Sequence, residues 1–333
     1  MIEKLSLNAY FMYVKDIEYI LASIELLSGF EVNPKIREGY DEAFVEQQKN
    51  EYPLLFELYD HIGKGFGIEI LEFMMSFDVT DFTLEKYFEY IMSLSKTEFL
   101  SIFLQKPLDE IEKALCSDGE QLTFYQKYKD ELQSYFAVEI LFQKTEWLIQ
   151  TYYEFVVALR TEKAVKFLEK HDIEIQKWKT KLKEGLTTEE PLLYSEHIMG
   201  KTFHNRGPYE KFFFMPSIFM PLTCVRWFED NQILIFDAVR FGQKDNTMIS
   251  DALKMMSDKT RYKILVILKE KKSLNGIEIA EYMNLATSTV SHHMSQLRSS
   301  GLVHEEPAGN TKYYSLNTHC IKNCIETLEK TFL

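Results

Sequence analysis

The 333 residues, 46% apolar and 14% aromatic, make about two ordinary domains' worth of chain and exclude a mini-protein or a disordered tail. With 25 Phe and 19 Tyr against 13 Gly and 8 Pro, collagen-like and low-complexity architectures are excluded too, and the scarcity of helix breakers favours helices. The 38 basic and 51 acidic side chains leave a net charge of −13, which taken alone argues against nucleic acid as the main partner.

Four cysteines, Cys116, Cys224, Cys320 and Cys324, are too sparse for a disulfide framework, so a reducing cytoplasm is the expected setting. The amino terminus lacks a signal peptide's apolar core and no run reaches roughly 18 apolar residues, so no membrane partner is expected. Residues 4–10 alternate polar and apolar, which predicts one strand. Asp16 then caps a helix that puts Ile17, Ile20, Leu21, Ile24 and Leu27 on one face and stops at Gly29. The same spacing predicts helices over 53–60, 66–77 and 84–94. A capping pattern at 117–121 opens a long amphipathic stretch from about 122 to 171 with one break.

The texture changes near Thr187, where a turn leads into another helix. Residues 211–222 are intensely apolar, and Pro216 and Pro221 confine their strand to a sheet edge or break it. The runs 223–228 and 233–239, separated by Glu229-Asp230-Asn231, predict a hairpin. The polar stretch 241–247 marks a boundary between domains at 1–247 and 248–333. Splitting the charge there changes the first inference: residues 1–247 hold 27 basic and 42 acidic side chains, net −15, whereas residues 248–333 hold 11 and 9, net +2. Nucleic acid is again a candidate partner for the last 86 residues.

Within those residues, Ser257-Asp258 caps a helix over 259–269 that buries Ile264, Leu265, Ile267 and Leu268. Ser273 begins the next helix, with Ile277, Ala280 and Met283 inward. After the turn Asn284-Leu285-Ala286, a helix over about 287–300 buries Val290, Met294 and Leu297, and the pair forms a helix-turn-helix. The 4, 3 spacing turns Thr287, Ser288, Thr289, Ser291, His292, Gln296 and Arg298 outward, a set without an acid that suits a major groove; the plain alternative is a solvated face. Strands over 302–306 and 311–316, joined by Pro-Ala-Gly-Asn, form a wing.

The stretch from Ala252 to Leu316 resembles the ArsR/SmtB winged-helix family of bacterial transcription regulators. The match lies in residues 252–265, in Glu278-Ile279-Ala280-Glu281, in Ser288-Thr289-Val290-Ser291-His292-His293-Met294 with Leu297, and in Gly301-Leu302-Val303. The resemblance implies that the helix over about 287–300 enters the major groove of an operator in double-stranded DNA, usually from a homodimer, with Arg261 and Lys312 as phosphate contacts. It also implies that His293 is a buried structural histidine. Two departures stand out: Ala286 replaces a capping Ser, leaving Thr287 to take that place, and the wing carries Glu305 and Glu306 where relatives tend to be basic.

The family's cysteine cluster is missing from residues 277–283. His319, Cys320 and Cys324 in the last helix are the candidate metal ligands, though both thiols read more simply as packing residues beside Ile321, Ile325 and Leu328, and no cofactor is expected. In the large domain, residues 212–221 resemble a Pro-Ser-x-Phe segment of an amino-terminal domain that accompanies some ArsR-type winged helices. The fold class expected is mainly α with small β elements, and the function a DNA-binding regulator, a repressor, whose large domain binds a small-molecule effector or mediates dimerisation. The alternatives are a DNA-anchored scaffold for another protein and, with least support, an enzyme. Gly63-Lys64-Gly65-Phe66-Gly67 completes no phosphate-loop spacing, and His197, His204 and Arg206 are too dispersed to form a site.

Overall fold

The alternation at the amino terminus makes two strands where one was expected, because residues 5–8 turn the chain back on itself. β1 (Ile2–Lys4) and β2 (Ala9–Met12) pair antiparallel, Ile2 opposite Met12. The computed structural model describes residues 1–28, 33–62, 68–199, 207–222, 224–239, 250, 252–308 and 311–332. The chain is mainly α with small β elements and divides into two units: Met1–Thr180 with Tyr209–Ala238, and Lys181–Pro208 with Val239–Leu333. The boundary expected at 247/248 lies outside the described residues, as do Gly29, the 63–67 glycine loop, His204 and Arg206.

In the first unit, α1 (Lys15–Ser28), α2 (Pro34–Gly39), α3 (Glu42–Glu51) and α4 (Pro53–Ile62) precede a 3₁₀ segment at Glu69–Met75, where an α-helix over 66–77 was expected. Then come α5 (Leu84–Ser93), α6 (Lys96–Leu104) and α7 (Leu108–Ala114). The long amphipathic stretch is four helices, not two: α8 (Asp118–Leu132), α9 (Tyr135–Gln143), α10 (Thr145–Ala158) and α11 (Glu162–Lys170). Its breaks have local causes. Gln133 takes a positive φ of 42°, and the Thr161 hydroxyl accepts from the Ala164 N–H to start α11 afresh. Ser117 caps α8 as expected. Asp16 does not cap its own helix, since α1 starts a residue earlier; its carboxylate accepts from the Leu84 N–H at 2.9 Å, the first amide of α5, which Thr83 caps. α12 (Asp172–Gly185) closes the run, its residues from Lys181 onward counted with the second unit.

β3 (Lys211–Ser217), β4 (Cys224–Phe228) and β5 (Asn231–Asp237) complete a five-stranded sheet of order β1-β2-β3-β5-β4. The expected hairpin is β4 with β5, antiparallel. β3 is not an edge strand, contrary to expectation: it runs parallel to both β2 and β5 in the interior of the sheet. Pro216 is tolerated because β2 pairs only as far as Phe214, so a missing N–H beyond that point interrupts no ladder on that side. β3 and β5 are buried on both faces, which explains their unbroken apolar runs.

The Pro-Ser-x-Phe segment, Pro216 to Phe219, ends β3 and runs just beyond it, and is held by a buried carboxylate. Glu18 of α1, wholly buried, accepts from the Ser217 hydroxyl (2.8 Å), the Ile218 N–H (3.0 Å) and the Phe219 N–H (2.8 Å). Asn33 Nδ2 donates to the Ile218 and Met220 carbonyls at 2.9 and 3.0 Å. Burial pushes the Glu18 carboxyl up to about 7, against the lowering pull of its three donors. The Phe219 ring stacks on Phe167 with centroids 5.6 Å apart and lies over Gly39, where a Cβ would stand 2.9 Å from its Cζ. Phe219 is fully buried and cannot step aside, so Gly39→Ala is expected to lower stability by about 1–3 kcal/mol in urea denaturation.

Candidate nucleic-acid interface

The second unit contains α13 (Pro191–Met199), whose His197 Nδ1 lies 2.8 Å from Glu189, and a helical turn at 252–256. The helix-turn-helix follows. α14 (Lys259–Lys271) is capped by Asp258, whose Oδ1 accepts from the Thr260 and Arg261 N–H groups at 3.0 and 2.9 Å. Those bonds, the one from Arg261 foremost, hold its carboxyl below the usual range. Ile264, Leu265 and Leu268 are buried as expected, and Ile267 is partly buried against the same core.

Ser273 does not begin a helix. β6 (Ser273–Asn275) pairs with the wing instead, Leu274 opposite Tyr314, and α15 (Gly276–Met283) starts from Asn275 in a reciprocal capping box with Glu278. Ile277, expected inward, lies in the first turn of α15 and is 64% exposed, and Ile279 takes the buried place beside Ala280. Asn284 ends α15 in the left-handed region (φ 52°), a conformation its short amide side chain tolerates better than most.

α16 (Thr287–Ser299) buries Val290, Met294 and Leu297 as the 4, 3 spacing requires. Thr287 does not substitute for a capping Ser: it is the first helical residue, Ala286 occupies the cap position, and no side chain caps the helix. The first-turn amides, at the positive end of the helix dipole, adjoin exposed Thr287, Ser288, Thr289, Ser291 and His292. This face carries hydroxyls and an imidazole and no acid. Gly301, at φ 74°, turns the chain into the wing, and the Leu302 N–H returns to the Leu297 carbonyl at 3.0 Å. β7 (Val303–Ala308) and β8 (Thr311–Leu316) form that wing antiparallel, in a three-stranded sheet of order β6-β8-β7; Gly309 and Asn310 of the expected turn lie outside the described residues.

The remaining candidates are not simply displayed. Arg261 is half-buried and donates Nε–H to the Met255 carbonyl (3.0 Å) and Nη1–H to Gln296 Oε1 (2.7 Å). Because guanidinium only donates, Gln296 must turn its oxygen toward Arg261 and its NH₂ away. Arg298 and Lys312 are exposed, but both lie against Glu305, an interaction the sequence reading missed. His293 is half-buried, and its Nδ1 is buried without a protein partner.

Cys320 and Cys324 lie on α17 (Thr318–Phe332), started by Asn317, whose Oδ1 accepts from the Cys320 N–H at 3.0 Å. Cys324 is 2% exposed and belongs to the unit's apolar core; burial pushes its thiol up, partly offset by a hydrogen bond from Cys320. The His319 side chain lies outside the described residues, and among those described no cluster of three or more His, Cys, Asp or Glu groups fits a metal ion. No described helix is long and apolar enough to cross a membrane.

Comparison with known proteins places its matches on this same region. Residues 258–305 match the family described as bacterial regulatory protein, arsR family. The transcriptional repressor SdpR of Bacillus subtilis is 35% identical over 77 residues, 23% of this chain and 84% of that protein. The arsenical resistance operon repressor of Staphylococcus aureus is 32% identical over 80 residues, 24% of this chain and 76% of its own length. The transcriptional activator HlyU of Vibrio cholerae is 29% identical over 90 residues, 27% of this chain and 82% of its own.

Proposed function

We propose that this chain, which belongs to the arsR family of bacterial regulatory proteins, is a cytoplasmic homodimeric repressor that reads an operator with α16 and answers to its amino-terminal unit. The observation that carries the reading is the exposed face of α16: a run of hydroxyls and an imidazole at an uncapped helix start, beside a wing, on a rigid apolar core. Thr287, Ser288, Thr289, Ser291 and His292 would face base edges and phosphate, Gln296 would offer its NH₂, and Arg261 would act chiefly by orienting Gln296.

The strongly acidic balance of residues 1–247 supports a regulatory role for the amino-terminal unit, since like charge would keep it off the DNA and confine contact to the winged helix. That unit would sense a small-molecule effector or pair two copies of the chain. Repression is favoured over activation in that SdpR and the arsenical resistance regulator are named repressors, against HlyU, which is named an activator. The test is a salt titration of the full chain on its own promoter fragment and on a scrambled duplex. A linear fall of log affinity with log salt, with the promoter fragment preferred, is expected. Equal binding to both duplexes at every salt concentration overturns the reading.

A further inference from the structure

Two cations at the edge of α16 share one carboxylate of the wing. Arg298, in the last turn of α16, directs Nη1 at both oxygens of Glu305, at 3.0 and 2.9 Å, and Lys312 Nζ on β8 lies 3.1 Å from Glu305 Oε1. Exposure is unequal: the Arg298 and Lys312 side chains are 49% and 58% exposed, Glu305 only 18%. The carboxylate is therefore sheltered beneath the two groups that neutralise it. Burial alone would raise its pKa, yet Lys312 and Arg298 hold it below the usual carboxylate range. The ion triad also ties α16 to both strands of the wing. Those cations could meet a phosphate in the same way, with Arg298 Nη1 shared between two oxygens of one anion and Lys312 making a point contact.

Resting on the DNA-binding reading above, we propose that Glu305 acts as an internal stand-in for a DNA phosphate and thereby sets the wing's sequence-independent grip on DNA. A backbone phosphate gains Arg298 or Lys312 only by displacing or sharing the Glu305 carboxylate. On a duplex that α16 does not match, phosphate contacts supply nearly all the attraction, so this competition weakens binding most where base contacts are missing. On a matched site, base contacts hold α16 in place while the exchange is made. Glu305 is in this sense a specificity-determining residue that never touches a base.

The experiment measures binding of the full chain to a mixed-sequence duplex across a range of salt for wild type, E305Q, E305D and R298A, and for R298A combined with E305Q. E305Q keeps the shape of the side chain and removes its charge. It is expected to bind roughly tenfold more tightly at low salt, with a log–log salt slope steeper by about one. E305D, which restores the charge, is expected to return toward wild type. R298A is expected to cost more in the E305Q background than in wild type, because only there is Arg298 free to take a phosphate. A looser wing would instead weaken E305Q, and either that result or an E305Q equal to wild type in affinity and slope overturns the proposal while leaving the DNA-binding reading intact. If no protein in the series binds the duplex, or the promoter fragment, at any salt, the DNA-binding reading itself fails.

Discussion

Replacing Glu18 by Ala is expected to lower the stability of the amino-terminal unit by about 3 kcal/mol or more. The Ser217 hydroxyl and the Ile218 and Phe219 N–H groups would all lose their acceptor, in a place where no water reaches. Glu18→Gln keeps one acceptor oxygen and the shape, so it is expected to cost less and to change the pH dependence instead. Burial raises the carboxyl from 4.5 to about 7, so the folded chain holds a proton there that the unfolded chain has released. The corresponding stabilisation is complete below pH 4.5 and is lost as the pH rises through 7. At 1.36 kcal/mol per pKa unit, wild type should gain about 3 kcal/mol on E18Q between pH 8 and pH 4.5. All three tryptophans, Trp147, Trp178 and Trp227, lie in this unit, so urea denaturation followed by their fluorescence reports on it. Parallel pH profiles for the two proteins would show that Glu18 titrates normally.

The second large effect is expected at His292. Its side chain is exposed near the start of α16, away from the Val290, Met294 and Leu297 face, so His292→Ala should leave the unfolding midpoint unchanged. Binding to the promoter fragment should weaken by about 1–3 kcal/mol, the range for one base-reading contact, while binding to a scrambled duplex stays close to wild type. Adding Gln296→Ala should weaken specific binding further. That second change also deprives Arg261 of one of its two acceptors, so a small loss of stability is expected from it alone. Unfolding of the His292→Ala protein would mean that the ring is part of the core.

The winged helix was legible because its signals are local. Val290, Met294 and Leu297 announce their face within two helical turns, and two short β-rich runs flanking a turn announce the wing. β6 was missed because Ser273 imitates a helix start, although the better signal, Asn275 with Glu278 three residues on, stands just beyond it. The sequence turns Arg298 outward, offers Lys312 as a phosphate contact and marks Glu305 as an unusual acid of the wing, but that Glu305 meets both cations depends on how helix and wing converge. In the amino-terminal unit, the parallel pairing of β2 with β3 joins residues about 200 apart and leaves no periodicity of its own. For the same reason Pro216 pointed to an edge strand: how far β2 extends is written at the other end of the chain. Glu18 reads from sequence as one more surface acid on an amphipathic helix.

The distance between Glu18 and its partners has a consequence for synthesis. β1, β2 and α1 leave the ribosome long before β3, so the carboxylate and the open side of β2 must wait for residues 211–219 before either is satisfied. Helices α2 to α12 emerge and form their local contacts in that interval, but the sheet that joins both ends of the unit closes only after them. A chain cut short before residue 211 would expose the β2 edge to other chains.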